Sequence, residues 1–175
     1  MNMSASLKSH QENKGGRRWL SEIPDTLSFL SGVLRVMHPH QYQLGRDAME
    51  QLMEREDLHE VLTLWPCIFN GLQIISNREC PIHRDYNTAS EWYDLLATFG
   101  PYRSAILEMS GLRLRFPYRS GTIVGLCGRM LRHGVSAADG DRICLAQYMR
   151  ENVQKRCGNT EFMWSTWDYY QPSKP

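Results

Sequence analysis

The segments CIFNGLQII (67–75), EWYDLLATFG (91–100), SAILEM (104–109), LRLRFPY (112–118), GTIVGLCG (121–128) and RICLAQYM (142–149) decide the fold. Each is a short run rich in apolar, β-branched or aromatic residues and punctuated by Gly or Pro, which is how strands read. Six strands after a helical stretch suggest a barrel or sandwich. A double-stranded β-helix, the cupin-like jelly roll, fits because its two sheets enclose a pocket that can receive ligands from facing strands. The expected class is mostly β with N-terminal helices (α+β), with helices over about 24–62 and the β core over about 65–153. Pro24 and Asp25 suit the opening turn of a helix that puts Leu27, Leu30 and Leu34 on one side. In QYQLGRDAMEQLMEREDLHEVL (41–62), Leu44, Ala48, Leu52 and Met53 form one stripe with charges opposite, the pattern of a helix packed on a sheet.

The rest of the chain adds boundaries. Its 175 residues, 42% of them hydrophobic, are one domain's worth and can fill one core, spanning 19–175. Residues 1–18 are polar and without periodicity and read as a disordered tail. EFMWSTWDYYQPSKP (161–175) gathers Trp164, Trp167, Tyr169 and Tyr170 into an aromatic tail suited to docking back over the barrel, with nucleobase stacking as the alternative. His38 and His40 flank Pro39 with no carboxylate nearby in sequence, so they read as a solvated loop. No apolar run is long enough to cross a bilayer, and the N-terminus lacks the pattern of a secretory signal. The expectation is an intracellular protein with no membrane partner. Five cysteines, an odd number, read as free thiols; a zinc site drawn from Cys80, Cys127 and His133 lacks any Cys-x-x-Cys.

Chemistry enters at ECPIHRDYN (79–87). If this stretch is extended, His83 and Asp85 leave the same face, as two ligands to one ion must. His133 lies far enough along the chain to return on a different strand. Two imidazoles and one carboxylate on one side of a metal leave the opposite side open, as in non-haem Fe(II) oxygenases. A His-x-Asp pair alone is weak, and a surface pair near a turn is its plain alternative. Arg142 changes the balance, because it opens an apolar run nine residues after His133. A guanidinium holds a carboxylate by two parallel hydrogen bonds and would anchor a dicarboxylic co-substrate chelating the metal.

With HRDYN (83–87), GRMLRHGVS (128–136) and RICLAQY (142–148) in that order, the chain resembles the Fe(II)/2-oxoglutarate dioxygenases of the TET and J-binding-protein family, especially its short fungal members. The resemblance covers about residues 65–153. It implies Fe(II) held by His83, Asp85 and His133, 2-oxoglutarate anchored by Arg142, and O2 as oxidant. The implied reaction turns 5-methylcytosine in DNA into 5-hydroxymethylcytosine and further products, with the base flipped out of the duplex and the protein in the nucleus. Asn87 resembles the family's base-contacting asparagine, with one fewer intervening residue, and Tyr148 the tyrosine against the flipped base. Arg150 stands where animal TET enzymes carry a histidine, and Cys144 where they carry a serine beside the co-substrate. The cysteine-rich zinc region of animal TET is absent.

Net charge is +1, yet arginines outnumber lysines sixteen to four, and the stretch from Arg103 to His133 is basic. In LRLRFPY, alternation puts Arg113 and Arg115 on one face and Leu112 and Leu114 on the other. Together with Arg119 they suit DNA backbone contact, evenly balanced against a solvated strand face. Three functions remain: a DNA methylcytosine oxidase; a 2-oxoglutarate oxygenase acting on N6-methyladenine, thymine, RNA or a protein side chain; and a non-catalytic barrel serving as a binding module. Nothing in the sequence sets the oligomeric state.

Overall fold

The computed structural model describes residues 15–167. Four helices come first, α1 (Gly15–Glu22), α2 (Pro24–Met37), α3 (Pro39–Met53) and α4 (Glu56–Leu62). The strands follow: β1 (Gly71–Ser76), β2 (Cys80–His83), β3 (Asp94–Phe99), β4 (Ile106–Met109), β5 (Leu114–Pro117), β6 (Ile123–Leu126), β7 (His133–Val135) and β8 (Ile143–Tyr148), then α5 (Glu151–Arg156). They form two four-stranded sheets, ordered β1-β8-β3-β6 and β2-β7-β4-β5, with antiparallel pairing throughout. This is the jelly-roll architecture expected from the strand pattern, with helices packed on one sheet. Six strands match the apolar runs; β2 and β7 are short and contain Pro81 and Gly134, so periodicity alone does not show them.

Alternation along β3 and β8 divides the interior. Leu95 and Ala97 of β3 and Leu145 of β8 meet the helices, in a core with Leu20, Leu27, Leu30, Leu34 and Leu44. The alternate residues Leu96, Cys144 and Ala146 face a cavity between the sheets. Leu107, Met109, Tyr118, Leu126 and Val135 close the other part of that interior. The helical stripe is as its spacing predicts: Leu27, Leu30 and Leu34 are all but fully buried, and Ala48 and Leu52 are buried on α3.

Four expectations are corrected. His38 is fully buried instead of solvated: its Nδ1 accepts from Gln41 N at 3.2 Å, capping α3, and its Nε2 lies 3.1 Å from Glu91 O. Gln41, also fully buried, donates through Nε2 to Tyr93 O and accepts from Tyr93 N through Oε1, both at 2.9 Å. These contacts fix the approach to β3, a tertiary role that no local pattern announces. Second, helix α1 already begins at Gly15, so residues 15–18 are not tail; residues 1–14 lie outside the described part. Third, LRLRFPY is not one alternating strand. Arg113 sits in the left-handed region at φ 54° after a 3-10 turn (Ser110–Leu112), and Leu112 and Leu114 are exposed. Fourth, the C-terminal stretch docks back through Phe162 and Ser165 and not through its tryptophans. Phe162 meets Trp92 edge-on at 4.4 Å, and Ser165 Oγ donates to Met37 O at 3.1 Å. Trp164 and Trp167 remain exposed, and Tyr169 and Tyr170 lie outside the described residues.

Two stability predictions follow from this packing. Leu30→Ala empties a filled site between helix and sheet and lowers unfolding free energy by about 2–5 kcal/mol in denaturant titration; a loss below about 0.5 kcal/mol would detach the helices from the core. Burial pushes the His38 pKa below its ordinary 6.5, so the unfolded chain takes up the extra proton first. The stability this residue preserves is complete above pH 6.5 and falls as pH drops below it, so a His38→Gln variant shows a shallower decline as pH falls below 6.5. Parallel pH profiles of the two proteins would refute that share.

Candidate active site

His83 ends β2 and His133 begins β7, and the two stand directly opposite each other in the ladder. Cross-strand neighbours share a face, which brings the ring centroids to 4.4 Å. Each imidazole is oriented from behind: His83 Nδ1 lies 2.7 Å from Pro81 O and His133 Nδ1 3.0 Å from Leu131 O. A carbonyl accepts only, so both Nδ1 atoms carry the proton and both Nε2 lone pairs are free. Those lone pairs point to the two oxygens of Asp85, at 3.7 Å from His83 and 3.5 Å from His133. The three donor atoms lie within 4.8 Å of one another, close enough for one metal ion. His133 is 4% exposed, whereas His83 and Asp85 leave 41% and 47% of their side chains open. The cluster is thus closed behind and open in front, and burial keeps His133 below its ordinary pKa, which favours the neutral, ligating form.

Asp85 stands just beyond β2, held by its N–H donating to Gly128 O at 3.0 Å. A Cβ on Gly128 would lie 2.7 Å from Asp85 Oδ2 and 2.4 Å from Asp94 Oδ2, so the position has room for no side chain. Asp94 is buried, and its carboxyl is pushed well above the usual range by that burial, with Asp85 adding to the effect. It lines the same cavity, as does Thr88. The Thr88 hydroxyl and the Gly128 backbone draw the Asp94 carboxyl part of the way back down.

The opposite wall is β8. Arg142, just before that strand, is 3% exposed, a rare placement for a guanidinium. Its Nε donates to Thr98 Oγ1 at 3.1 Å, its Nη1 to Arg78 O at 3.4 Å, and its Cζ lies 5.2 Å from the Tyr118 ring centre. No carboxylate among the described residues forms an ion pair with it. A buried cation so placed is costly until an anion arrives. The cavity of about 500 Å³ between the walls is lined by His83, Asp85 and His133 on one side and by Arg142, Cys144 and Ala146 on the other. That volume is within the range of small-molecule sites.

At the mouth stand Asn87, Tyr148 and Arg150. The Tyr148 ring lies over Gly71, its cross-strand partner, so closely that a Cβ there would come within 2.3 Å of Cε2. Arg150 Cζ sits 5.6 Å from that ring's centre, and its Nη2 donates to Tyr148 Oη at 3.4 Å. Arg113, Arg115 and Arg119 do not line the cavity. Strand β5, which carries Arg115, is at the far edge of the sheet from β2, and Arg115 lies 3.5 Å from Glu108.

Sequence reasoning misses Asp94, Arg78, Thr88 and Thr98. Asp94 alone leaves a signal, a carboxylate inside an apolar strand. Among the described residues Cys80 lines the cavity without joining the His-Asp-His group, and Cys127 is a buried thiol.

No curated protein matches the chain. Among solved structures, NgTET1 in complex with 5mC DNA superposes with a TM-score of 0.60 at 18% sequence identity, over 87% of this chain and 56% of that one. At that identity the likeness speaks for the fold, and the chain spans little more than half the length of the solved protein. The sequence model of one family matches residues 5–151. That stretch contains both sheets, the His-Asp-His cluster and the buried arginine, and by it the chain belongs to the Tet_JBP family, the oxygenase domain of the 2OGFeDO superfamily.

Proposed function

We propose that this protein is an Fe(II)/2-oxoglutarate-dependent dioxygenase that oxidises a methylated nucleobase in DNA, with 5-methylcytosine as substrate and 5-hydroxymethylcytosine as first product. The carrying observation is the buried Arg142, an uncompensated cation on the wall facing a two-histidine, one-carboxylate cluster. The donor set suits Fe(II), since imidazole and carboxylate ligands on one side leave positions open. When bound, the iron supplies oxidation of a C–H bond by O2 coupled to decarboxylation of 2-oxoglutarate. His83 and His133 hold it through Nε2 and Asp85 through a carboxylate oxygen. Arg142, fixed by Thr98 and the Tyr118 ring, takes the far carboxylate of 2-oxoglutarate through its remaining N–H groups.

The DNA part of the reading rests on the family and on the cavity mouth. The structural relative is described with 5mC DNA. A base inside a duplex cannot reach a cavity between two sheets, so the target nucleotide is flipped out. Tyr148, backed by Gly71, offers its ring to that base, while Arg150 and Asn87 offer donors and an acceptor to its edge. Phosphate contact by Arg113, Arg115 and Arg119 requires the duplex to reach across to the β5 edge.

Protein loaded with Fe(II) without oxygen, then given O2, 2-oxoglutarate and duplex DNA bearing both 5-methylcytosine and N6-methyladenine, yields 5-hydroxymethylcytosine by nucleoside mass spectrometry. His133→Ala yields none; succinate formation by that variant at the normal rate would refute the ligand assignment. Loss of methyladenine alone makes the protein an adenine demethylase, and succinate with neither base changed removes methylated DNA bases as substrate. Arg142→Ala deletes one charge-assisted pair, about 1.5–3 kcal/mol, and raises the 2-oxoglutarate concentration for half-maximal rate at least about tenfold. An unchanged requirement would move the anchor to another cation, Arg78 or Arg150.

A further inference from the structure

Tyr86 is the residue at the cavity mouth that the reaction just described does not use. It follows the Asp85 ligand, lines the cavity and is 74% exposed, more than any other residue among the large hydrophobics of the described chain. Its mounting is rigid. The carbonyls of Tyr86 and Thr88 both accept from Arg129 Nη1, at 3.1 and 3.0 Å, and that of Asn87 accepts from Glu151 N at 3.1 Å. Arg129 in turn lies 3.6 Å from Glu151, and Asp85 N donates to Gly128 O at 3.0 Å. Four successive residues are thereby tied to β7's approach and to α5, while the one large ring among them stands in solvent.

An aromatic ring standing in solvent on a tethered backbone at the edge of a ligand cavity offers a flat apolar face on which another ring can stack. The two tyrosines of the mouth differ in a way that divides their work. Tyr148 lies inward on Gly71 and is partly enclosed, where it meets a base inside the cavity; Tyr86 projects outward, where it meets what remains outside. A nucleotide turned out of a duplex leaves a gap flanked by the planar faces of two base pairs. Arg84, exposed beside Tyr86, and Arg150 across the mouth give the cationic flanks that neighbouring phosphates require.

We propose that Tyr86 enters the stack beside the flipped nucleotide and lies against a flanking base pair, holding the gap open while the target base occupies the cavity. This rests on the reading that the substrate is a base in duplex DNA. A gap exists only in a duplex, which gives the test its contrast.

The 175-residue chain is assayed on one methylcytosine-bearing oligonucleotide as single strand, as matched duplex, and as duplex with the methylcytosine mispaired; anaerobic affinity for each is read by fluorescence anisotropy. Base–aromatic stacking sets the expected loss for Tyr86→Ala on the matched duplex at about tenfold or more, in affinity and in turnover. On the single strand Tyr86→Ala stays within about twofold of wild type, and the mispaired duplex regains part of the loss because its target is already unstacked. Tyr86→Phe keeps the ring and behaves as wild type on all three. Equal loss on single strand and duplex would place Tyr86 in the base or metal pocket and overturn the inference, as would no loss at all. Failure of the wild-type protein on every form of the oligonucleotide is a different result, visible before any variant is made, and it removes the underlying DNA reading.

Discussion

The pairing of β2 with β7 is the constraint on which the site depends. It sets His83 opposite His133 and brings the two imidazoles onto one face with ring centroids 4.4 Å apart. The backbone also chooses their chemistry, since Pro81 O and Leu131 O each fix a proton on Nδ1 and leave Nε2 to bind. Asp85 completes the group only because Gly128 has no side chain; any Cβ there would occupy the space of two carboxylates. The three-donor cluster is therefore specified by at least three further positions outside it.

Each sheet supplies one half of the chemistry. Strands β2 and β7 position the His-Asp-His cluster, and β8 with its approach brings Arg142, Cys144, Ala146 and Tyr148. Facing sheets pack about 10 Å apart, so the span from that cluster to the guanidinium is set by the core, not by the flexibility of any one side chain. The helices hold the second wall in place: Leu27, Leu30, Leu34 and Leu44 press on β3 and β8, while Gln41 and His38 pin the segment entering β3. Since β3 carries both Asp94 behind the metal cluster and Thr98 behind Arg142, the helix layer reaches the site through one strand.

Much of this is legible in the chain because the ligands sit at strand ends beside turn residues, where sequence patterns are clearest. The jelly roll follows from six apolar runs, and the order His83, Asp85, His133, Arg142 is readable without coordinates. What is not legible depends on contacts distant in sequence. His38 looks solvated beside a proline, yet it is buried, with its Nε2 3.1 Å from the carbonyl of Glu91, 53 residues away. Arg113 looks like a strand residue until its positive φ breaks the alternation and leaves Leu114 exposed. Thr98 looks like any polar residue in a strand, and becomes a partner of Arg142 only through a hydrogen bond across 44 residues.

The surroundings of Arg142 also decide what can bind there. The ionisable neighbours are the Tyr118 phenol, under the guanidinium, and the Cys144 thiol, 3.7 Å from that phenol. Either one, ionised, would pair with the arginine and close the site. Burial pushes both upward, so both stay neutral at ordinary pH, and the guanidinium's attraction is too small a correction to reverse this. Thr98 satisfies one N–H with a neutral oxygen and leaves the charge itself uncancelled. A neutral ligand would leave that charge buried and unpaired, and a monoanion spanning only to the metal would do the same. A ligand that carries one carboxylate to the arginine and a second chelating end to the metal satisfies both walls together, which is the chemistry of a 2-oxo dicarboxylate.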